Sequence, residues 1–360
     1  MIRLEPRKEA SLVMLYATPV LAVVLTVLVG MVIFAALGKD PFKASAIFFL
    51  SPLSDLFSIT ELMVKATPLI LIATGLALGF RAGVWNIGAE GQFTFGALTG
   101  GCVALIFWEV QGLWVLPLMG LAGILGGMAW AAIPAFLKTR FQANEILVSL
   151  MLTYVAILLL SVLVHGPLRD PDGLNFPESR LFHDSATLPI IIEGTRANVG
   201  SILAVLVAVT GWLLLSRHIL GFQIRIMGEA PHAARFAGFV QSRTVWLCLM
   251  ISGGLAGLAG LLEAAGPVGQ LVPSLPVGYG FTAIIVAFLG RLNPLGILLS
   301  GFVMAITYIG GEAAQIEMNL PSAVTGVFQG FLLFFLLGID VLVRYRIRRV
   351  VPAARAGGAD

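Results

Sequence analysis

Charged residues are scarce in this sequence: Asp, Glu, Lys and Arg make up 11% of its 360 residues, whereas hydrophobic residues make up 58%. Soluble domains carry about 25% charged residues, because a solvated surface needs polar side chains. The mean hydropathy of +0.98 points the same way. This composition excludes a water-soluble domain and indicates a chain that lies largely within a lipid bilayer.

The sequence also has few cysteines and histidines and lacks a phosphate-binding loop. Cys102 and Cys248 lie in apolar runs without the spacing of a disulfide framework or a metal site. The four histidines are scattered, and no Gly-x-x-x-x-Gly-Lys-Ser/Thr phosphate-binding loop occurs. We therefore expect no catalytic residue, no metal and no bound cofactor, and the chain has no phosphate-binding loop of its own with which to hydrolyse ATP.

Long apolar runs are what the sequence does have. A run of about 20 residues can cross roughly 30 Å of hydrocarbon as a helix, and lipid tolerates only backbone that is hydrogen-bonded internally. We predict spans at residues 12–37, 62–80, 86–108, 113–136, 145–165, 199–216, 244–265, 276–290, 295–315 and 322–343. The first exceeds the ~7–15 apolar residues of a secretory signal, so we expect it to be retained. The predicted fold class is all-α: a polytopic membrane protein with about ten transmembrane helices in a single domain, residues 1–360.

The basic residues favour one orientation. With the N-terminus in the cytoplasm, most of the 22 Lys and Arg residues fall on the cytoplasmic side, Arg7, Lys8 and Arg355 among them, as the positive-inside rule expects. Both termini are then cytoplasmic, the loop at about 166–198 is external and the loop at about 217–243 is cytoplasmic. Because the basic residues lie at helix ends, the pI near 9.0 does not indicate nucleic-acid binding.

The most informative stretch runs from Phe80 to Gln92. It places Trp85, Asn86 and Glu90 between two apolar runs. Ionisable groups at membrane depth normally face a cavity or a partner, and broken helices whose ends point at a central site recur in transporters. One interpretation is a pore-lining element with Asn86, Glu90 and Gln92 as polar contacts. The other is a tight cytoplasmic turn in which Glu90 caps or charges the first turn of the next helix.

A second polar stretch, residues 228–238, lies in the predicted cytoplasmic loop. Pro231 suits the first turn of a helix and Gly238 its C-terminal end, so the sequence predicts a short helix of about two turns. Such a helix could lie beneath the membrane and dock into a groove on a soluble partner. Alternatively, it is an interfacial helix that only anchors the loop.

A third stretch, residues 266–280, is rich in proline and glycine and includes Tyr279. It predicts an irregular external segment that dips toward the membrane, either as an outer gate or as an ordinary turn. Glu145, Glu263 and Glu312 are further acids within or at the edge of the membrane. We interpret each as a helix cap or a structural partner.

These stretches resemble a known family. Residues 82–92, Ala-Gly-Val-Trp-Asn-Ile-Gly-Ala-Glu-Gly-Gln, closely resemble the signature of ABC importer permeases of the branched-chain amino acid/simple sugar family. They are similar in particular to the nucleoside-importing subgroup that works with basic-membrane-protein-type binding lipoproteins. Residues 144–152, 221–238 and 276–284 resemble further stretches of that subgroup, and the resemblance covers roughly residues 60–340.

The resemblance implies a type II-like permease in the bacterial cytoplasmic membrane, with an external binding protein delivering nucleosides or related compounds. It also implies a second permease subunit, a paralogue that forms a heterodimer, and a cytoplasmic ABC ATPase that uses the ATP. We predict a substrate path at Trp85, Asn86, Glu90, Gln92 and Tyr279. The predicted ATPase-coupling residues are Gly228, Glu229, Ala230, Pro231, Ala233, Ala234, Arg235 and Gly238.

Two alternatives remain at this stage. The first is the same kind of permease with a simple sugar as its cargo. The second, from a different class, is a secondary transporter driven by H⁺ or Na⁺, for which Glu90, Glu145 and Glu263 would be the titrating acids.

Overall fold

The computed structural model describes residues 2–6, 12–110 and 112–349, so Arg7, Lys8 and Arg355 lie outside the described residues. The described chain contains thirteen α-helices and two short strands. The helices are α1 Leu12–Ala36, α2 Pro41–Leu50, α3 Leu56–Arg81, α4 Ala89–Ile106, α5 Val115–Phe141, α6 Glu145–His165, α7 Val199–Arg217, α8 Ile219–Glu229, α9 Pro231–Phe236, α10 Gln241–Glu263, α11 Tyr279–Leu289, α12 Pro294–Met318 and α13 Ala323–Arg344. Strands β1 Ile2–Pro6 and β2 Tyr345–Arg349 pair antiparallel.

The predicted spans coincide with ten of these helices. Seven helices of the described chain, α1, α3, α5, α6, α7, α10 and α12, are long and apolar enough to cross a membrane. The other three predicted spans are α4 with 18 residues, α11 with only 11, and α13, whose apolar part is Ala323–Ile339. The prediction of an all-α, multi-pass membrane protein is confirmed, with about ten spans as an approximate count.

Three elements were not predicted. Helix α2 follows Asp40, whose side chain accepts the N–H groups of Phe42 and Lys43 and thereby caps the helix. Helix α8 precedes the predicted short helix, which the structure places at Pro231–Phe236 as α9. The strand pair β1–β2 is the third, and its backbone hydrogen bonds join residues near the two termini.

Helices α3 and α10 lie at the centre of the bundle. In α3 the most apolar window is 89% buried inside the protein and in α10 72%, against 22–28% in α1, α5, α6 and α7. Close packing at the centre depends on glycine: a Cβ on Gly257 of α10 would overlap the backbone of both Gly123 and Gly127 on α5. Small residues allow this approach where no hydrophobic drive brings helices together.

Two helices begin inside the bundle rather than at its surface. After α3 ends, Gly83 takes φ 73 and turns the chain back, so that the Val84 N–H donates to the Gly79 carbonyl at 2.9 Å. Before α4 starts, the side chain of Asn86 bonds to Ser252, which lies in the middle of α10. Helix α11 spans about 16 Å at 1.5 Å per residue, roughly half of the hydrocarbon.

The two long loops lie at opposite ends of α10. Leu188 of the 166–198 loop donates its N–H to the carbonyl of Ala265, just beyond the C-terminal end of α10. At the other end, Arg235 of α9 donates to the side chain of Gln241, the first residue of α10. The two ends of the bundle are therefore called the 166–198 end and the α9 end below.

Candidate functional site

Asn86 and Gln92 form a buried pair of amides at the turn between α3 and α4. Each is 1% exposed. Asn86 Nδ2 donates to Gln92 Oε1 at 2.8 Å and to Ser252 Oγ at 2.9 Å, while Gln92 Nε2 donates back to Asn86 Oδ1 at 3.1 Å. Because these side chains bond within the chain, they tie the turn and α4 to α10 in this conformation.

Glu90 caps a helix that is distant in sequence. Its side chain is 1% exposed, and one carboxylate oxygen accepts the Gly278 N–H at 2.7 Å while the other accepts the Gly280 N–H. These N–H groups belong to the first turn of α11, where the helix dipole is positive and favours a carboxylate. One interpretation of the sequence has Glu90 cap or charge its own helix, α4, whereas the structure places its carboxylate on the first turn of α11.

Tyr279 is fully buried beside Glu90. Its hydroxyl donates to Glu263 Oε1 at 3.3 Å, and Lys65 Nζ lies 5.9 Å from the centre of its ring. The ring of Phe93 meets it edge-on at 5.8 Å. Tyr279 thus joins α11 to α3, α4 and α10 and has no open surface in this conformation.

Trp85 is the one predicted path residue with an exposed surface, at 39%. Its ring lies 4.9 Å from that of Phe80 and 6.0 Å from that of Phe288, measured between centroids. Phe288 and the exposed Phe281 are seven residues apart on α11 and therefore share a helix face. Phe281, Phe288 and Trp85 form an aromatic strip that runs along α11 toward the α9 end.

A polar cavity of about 410 Å³ adjoins the other end of this strip. Thr282 Oγ1 lies 2.9 Å from the Tyr308 hydroxyl and donates to Gln329 Oε1 at 3.3 Å, so that α11, α12 and α13 each contribute a polar group. The cavity is lined by Val277, Gly278, Phe281, Thr282, Tyr308, Glu312, Gln315, Ser322, Thr325, Gly326 and Gln329. It was not predicted, because its polar residues come from three separate apolar runs that only the fold brings together.

The further acids within or at the edge of the membrane, two of them candidates for ion coupling, have partners within the chain. Glu145 accepts a hydrogen bond from Lys138 Nζ at 2.5 Å, which ties α5 to α6. Glu263 accepts from Tyr279, and Glu312 lies 3.5 Å from Lys65 Nζ. Across the described residues, no group of three or more His, Cys, Asp or Glu side chains could hold a metal ion.

The predicted coupling residues lie at the α9 end. A Cβ on Gly228 would overlap the carbonyl oxygen of Arg81, so this glycine lets α8 approach the end of α3 closely. Ala234 is buried and packs α9 against the bundle. The remaining predicted coupling residues are exposed: Glu229, Ala230, Pro231, Ala233, Arg235 and Gly238.

Phe236 is an exposed aromatic side chain that the sequence prediction left out of the coupling residues. It is 94% exposed at the C-terminal end of α9. A depression of about 530 Å³ lies beside α9, lined in part by Lys138, Gln142, Arg235 and Gln241. An exposed aromatic ring next to a polar depression is typical of a protein-docking surface.

Residues 58–337 match the family described as "Branched-chain amino acid transport system / permease component". The glucose ABC transporter permease protein TsgB13 of Haloferax volcanii is 36% identical to this chain, over 96% of the chain and 93% of TsgB13. The guanosine ABC transporter permease protein NupP of Bacillus subtilis is 29% identical, over 95% of this chain and 97% of NupP.

The nucleoside ABC transporter permease protein NupB of Lactococcus lactis is 27% identical, over 94% of this chain and 93% of NupB. For each of these two bacterial relatives, a second matching permease with the same solute in its name comes from the same organism. Related permeases therefore occur in pairs.

Proposed function

This chain belongs to the family of branched-chain amino acid transport permease components, and from that premise we propose that it moves nucleosides across the membrane. It is the membrane-spanning subunit of an ABC importer, and it is a transport subunit rather than an enzyme. The family resemblance predicted from the sequence is confirmed, and the ion-coupled alternative is set aside.

The aromatic strip on α11 supports a nucleoside cargo. Phe281 and Trp85 are each 39% exposed, and Phe288 connects them along one face of the bundle. Aromatic rings stack on the flat faces of nucleobases, with about 1–3 kcal/mol per base in proteins that bind single strands. Two relatives named for guanosine or nucleoside transport match this chain over nearly its whole length.

A simple sugar is the second candidate cargo. The relative named as a glucose permease is 36% identical to this chain, more than either nucleoside relative. Sugars also pack their C–H faces on aromatic rings, so the strip alone does not separate the two cargoes. Transport measurements decide between them.

The test is uptake of labelled guanosine, adenosine and glucose by cells with and without this gene, repeated after ATP depletion. We expect nucleoside uptake to disappear on deletion and on ATP depletion alike. Loss of glucose uptake with unchanged nucleoside uptake would overturn the nucleoside proposal and leave the importer. Uptake that survives ATP depletion and collapses with the proton gradient would contradict an ATP-driven mechanism.

We propose that the chain works with a paralogous permease, a cytoplasmic ATPase and an external binding protein in the cytoplasmic membrane. The pairing of related permeases supports the second permease subunit. The α9 end, with exposed Glu229, Arg235 and Phe236, is the proposed docking surface for the ATPase. Closure of the ATPase would move α9 and, through the contact of Gly228 with Arg81, the end of α3 and the turn before α4.

The predicted path residues take different roles in this proposal. Trp85 lines the path as part of the aromatic strip. Asn86, Glu90, Gln92 and Tyr279 stand behind the path surface, where they hold the turn and the half-length helix α11 in place. A rearrangement of the turn during transport would expose them, which keeps them within the proposed path.

A further inference from the structure

The polar cavity between α11, α12 and α13 contains a directed chain of hydrogen bonds. Thr282 has a single hydroxyl hydrogen, and that hydrogen goes to Gln329 Oε1. Either hydroxyl can donate across the 2.9 Å contact with Tyr308, and with the Thr282 hydrogen on Gln329 the donor is the tyrosine hydroxyl. The chain therefore runs from Tyr308 through Thr282 to Gln329, and it leaves the tyrosine oxygen able to accept.

Gln329 Nε2 ends this chain without a hydrogen-bond partner, although the atom is buried. A buried donor that makes no hydrogen bond destabilises the folded protein. Lipid tails cannot supply an acceptor. Gln329 itself lines the adjoining cavity, so a rotation of its side chain would bring the amide to a solute oxygen and complete the chain.

The lining of the cavity suits a neutral solute. Its one carboxylate, Glu312, pairs with Lys65 Nζ at 3.5 Å, and the other polar lining groups are hydroxyls, amides and backbone. Hydroxyl groups of a sugar ring both donate and accept, which matches the tyrosine oxygen and the glutamine amide. The volume of about 410 Å³ falls in the range of pockets for small ligands, about 300–1,000 Å³.

The cavity lies toward the 166–198 end of the bundle, where a solute would enter from outside in the proposed orientation. It extends from Gly278, at the inner start of α11, to Glu312, whose partner Lys65 lies one turn from Glu61 on α3. Glu61 is bonded in turn to Arg196 of the 166–198 loop, so the rim of the cavity lies toward that end. The aromatic strip leaves the cavity at Phe281 and continues toward the opposite end.

We propose that Tyr308, Thr282 and Gln329 form a solute subsite that binds the hydroxyl groups of a sugar ring, either the ribose of a nucleoside or a free hexose. The proposal rests on the proposed function and names the part of the solute that the permease itself recognises. It also accounts for relatives with both kinds of solute in their names.

The test compares Gln329→Leu and Tyr308→Phe with Thr307→Val. Thr307 lies next to Tyr308 on α12, is 6% exposed, and donates its hydroxyl to its own helix at Met304, so its variant loses a buried hydroxyl outside the cavity. The complete complex is reconstituted in nanodiscs. Saturation-transfer NMR with guanosine or glucose then measures contact of the sugar protons, and transport is measured with saturating binding protein and ATP in liposomes.

We expect transport to fall about fivefold for each lost hydrogen bond. The sugar-proton signal should weaken in Gln329→Leu and Tyr308→Phe but stay at the wild-type level in Thr307→Val. A signal with guanosine alone identifies ribose as the source, and a signal with glucose alone identifies the hexose. Either result supports the subsite.

If the wild type transports and contacts the solute, and both cavity variants do so equally well, the subsite is overturned and the proposed function stays intact. An equal loss in Thr307→Val would also overturn it, because any buried hydroxyl of α12 would then have the same effect. A wild-type complex that neither contacts nor transports guanosine or glucose would overturn the proposed function and the subsite together. Melting temperatures of all variants identify any that fail to fold.

Discussion

Glu90 shows how a single carboxylate can hold a half-length helix inside a membrane protein. The first N–H groups of any helix lack partners within that helix. At the surface water would bind them, but α11 begins in the interior, where its first turn meets α4. Glu90 supplies both acceptors at once, so the residue that the sequence marked as polar and membrane-embedded has a defined structural task.

We predict that Glu90→Ala lowers the stability of the permease. The substitution leaves one buried and one partly buried N–H group without an acceptor, at a cost of about 1–3 kcal/mol for the buried one. A fall in melting temperature of about 5 °C or more is expected. A thiol-reactive dye can report it, since Cys248 is 0% exposed until the helices separate. Glu109→Ala, at an exposed position, is the control and should melt like the wild type. Equal melting of Glu90→Ala and wild type would contradict the capping role.

At the scale of elements, α9 is held to the bundle by very few of its own side chains. Ala234 is its buried contact, and the six-residue helix presents Glu229, Arg235 and Phe236 outward at or beside its ends. A helix this short has little stability of its own. Its position therefore depends on α8 and the start of α10, which makes it suited to pass on the movement of a docked partner.

We predict that Glu229→Ala combined with Arg235→Ala uncouples ATP hydrolysis from transport. Truncating important interface side chains costs about 2 kcal/mol or more, so transport per ATP hydrolysed should fall at least about tenfold in the reconstituted complex. Arg217→Ala is a matched control, because this exposed arginine ends α7 outside the α8–α9 segment. Normal coupling in the double variant, with normal assembly, would rule out the assignment of α9.

At the scale of the whole molecule, the two ends of the bundle differ in chemistry. The α9 end carries Arg140, Arg217, Arg225, Arg235 and Arg243 besides Lys138, which pairs with Glu145. The 166–198 end carries paired charges, such as Arg180 with Asp170 and Arg196 with Glu61. Unbalanced basic residues favour the cytoplasm, so the charge distribution supports the orientation proposed for the importer.

We predict that Phe236→Cys reacts with a membrane-impermeant maleimide only from the cytoplasm. Leu174→Cys should react from outside in spheroplasts. The two positions are 94% and 89% exposed, so differences in labelling report sidedness rather than burial. Wild-type Cys102 and Cys248 give the background signal. The reverse labelling pattern would invert the proposed orientation.

The sequence by itself determined the class of protein, the approximate set of spans and the family. Hydropathy acts over about 20 residues at a time, and the backbone in lipid has hardly any choice but a helix, so local composition decides these features. The motif at residues 82–92 also marked polar side chains between two apolar runs, and the structure buries Asn86, Glu90 and Gln92. The same local reading missed α2 and α8, because short helices are stabilised by contacts with distant residues, as Phe48 on α2 is by Phe328 on α13.

Only the tertiary structure decided which polar residues are held inside and which are open. The sequence was equally consistent with a structural and a path-lining role for Asn86, Glu90 and Gln92. Their partners Ser252, Gly278 and Gly280 lie at least about 160 residues away along the chain. The Thr282–Tyr308–Gln329 chain likewise needs three helices to meet. A hydrogen bond depends on atoms a few ångströms apart in space, and hydropathy along one helix carries no information on which distant helix supplies the second atom.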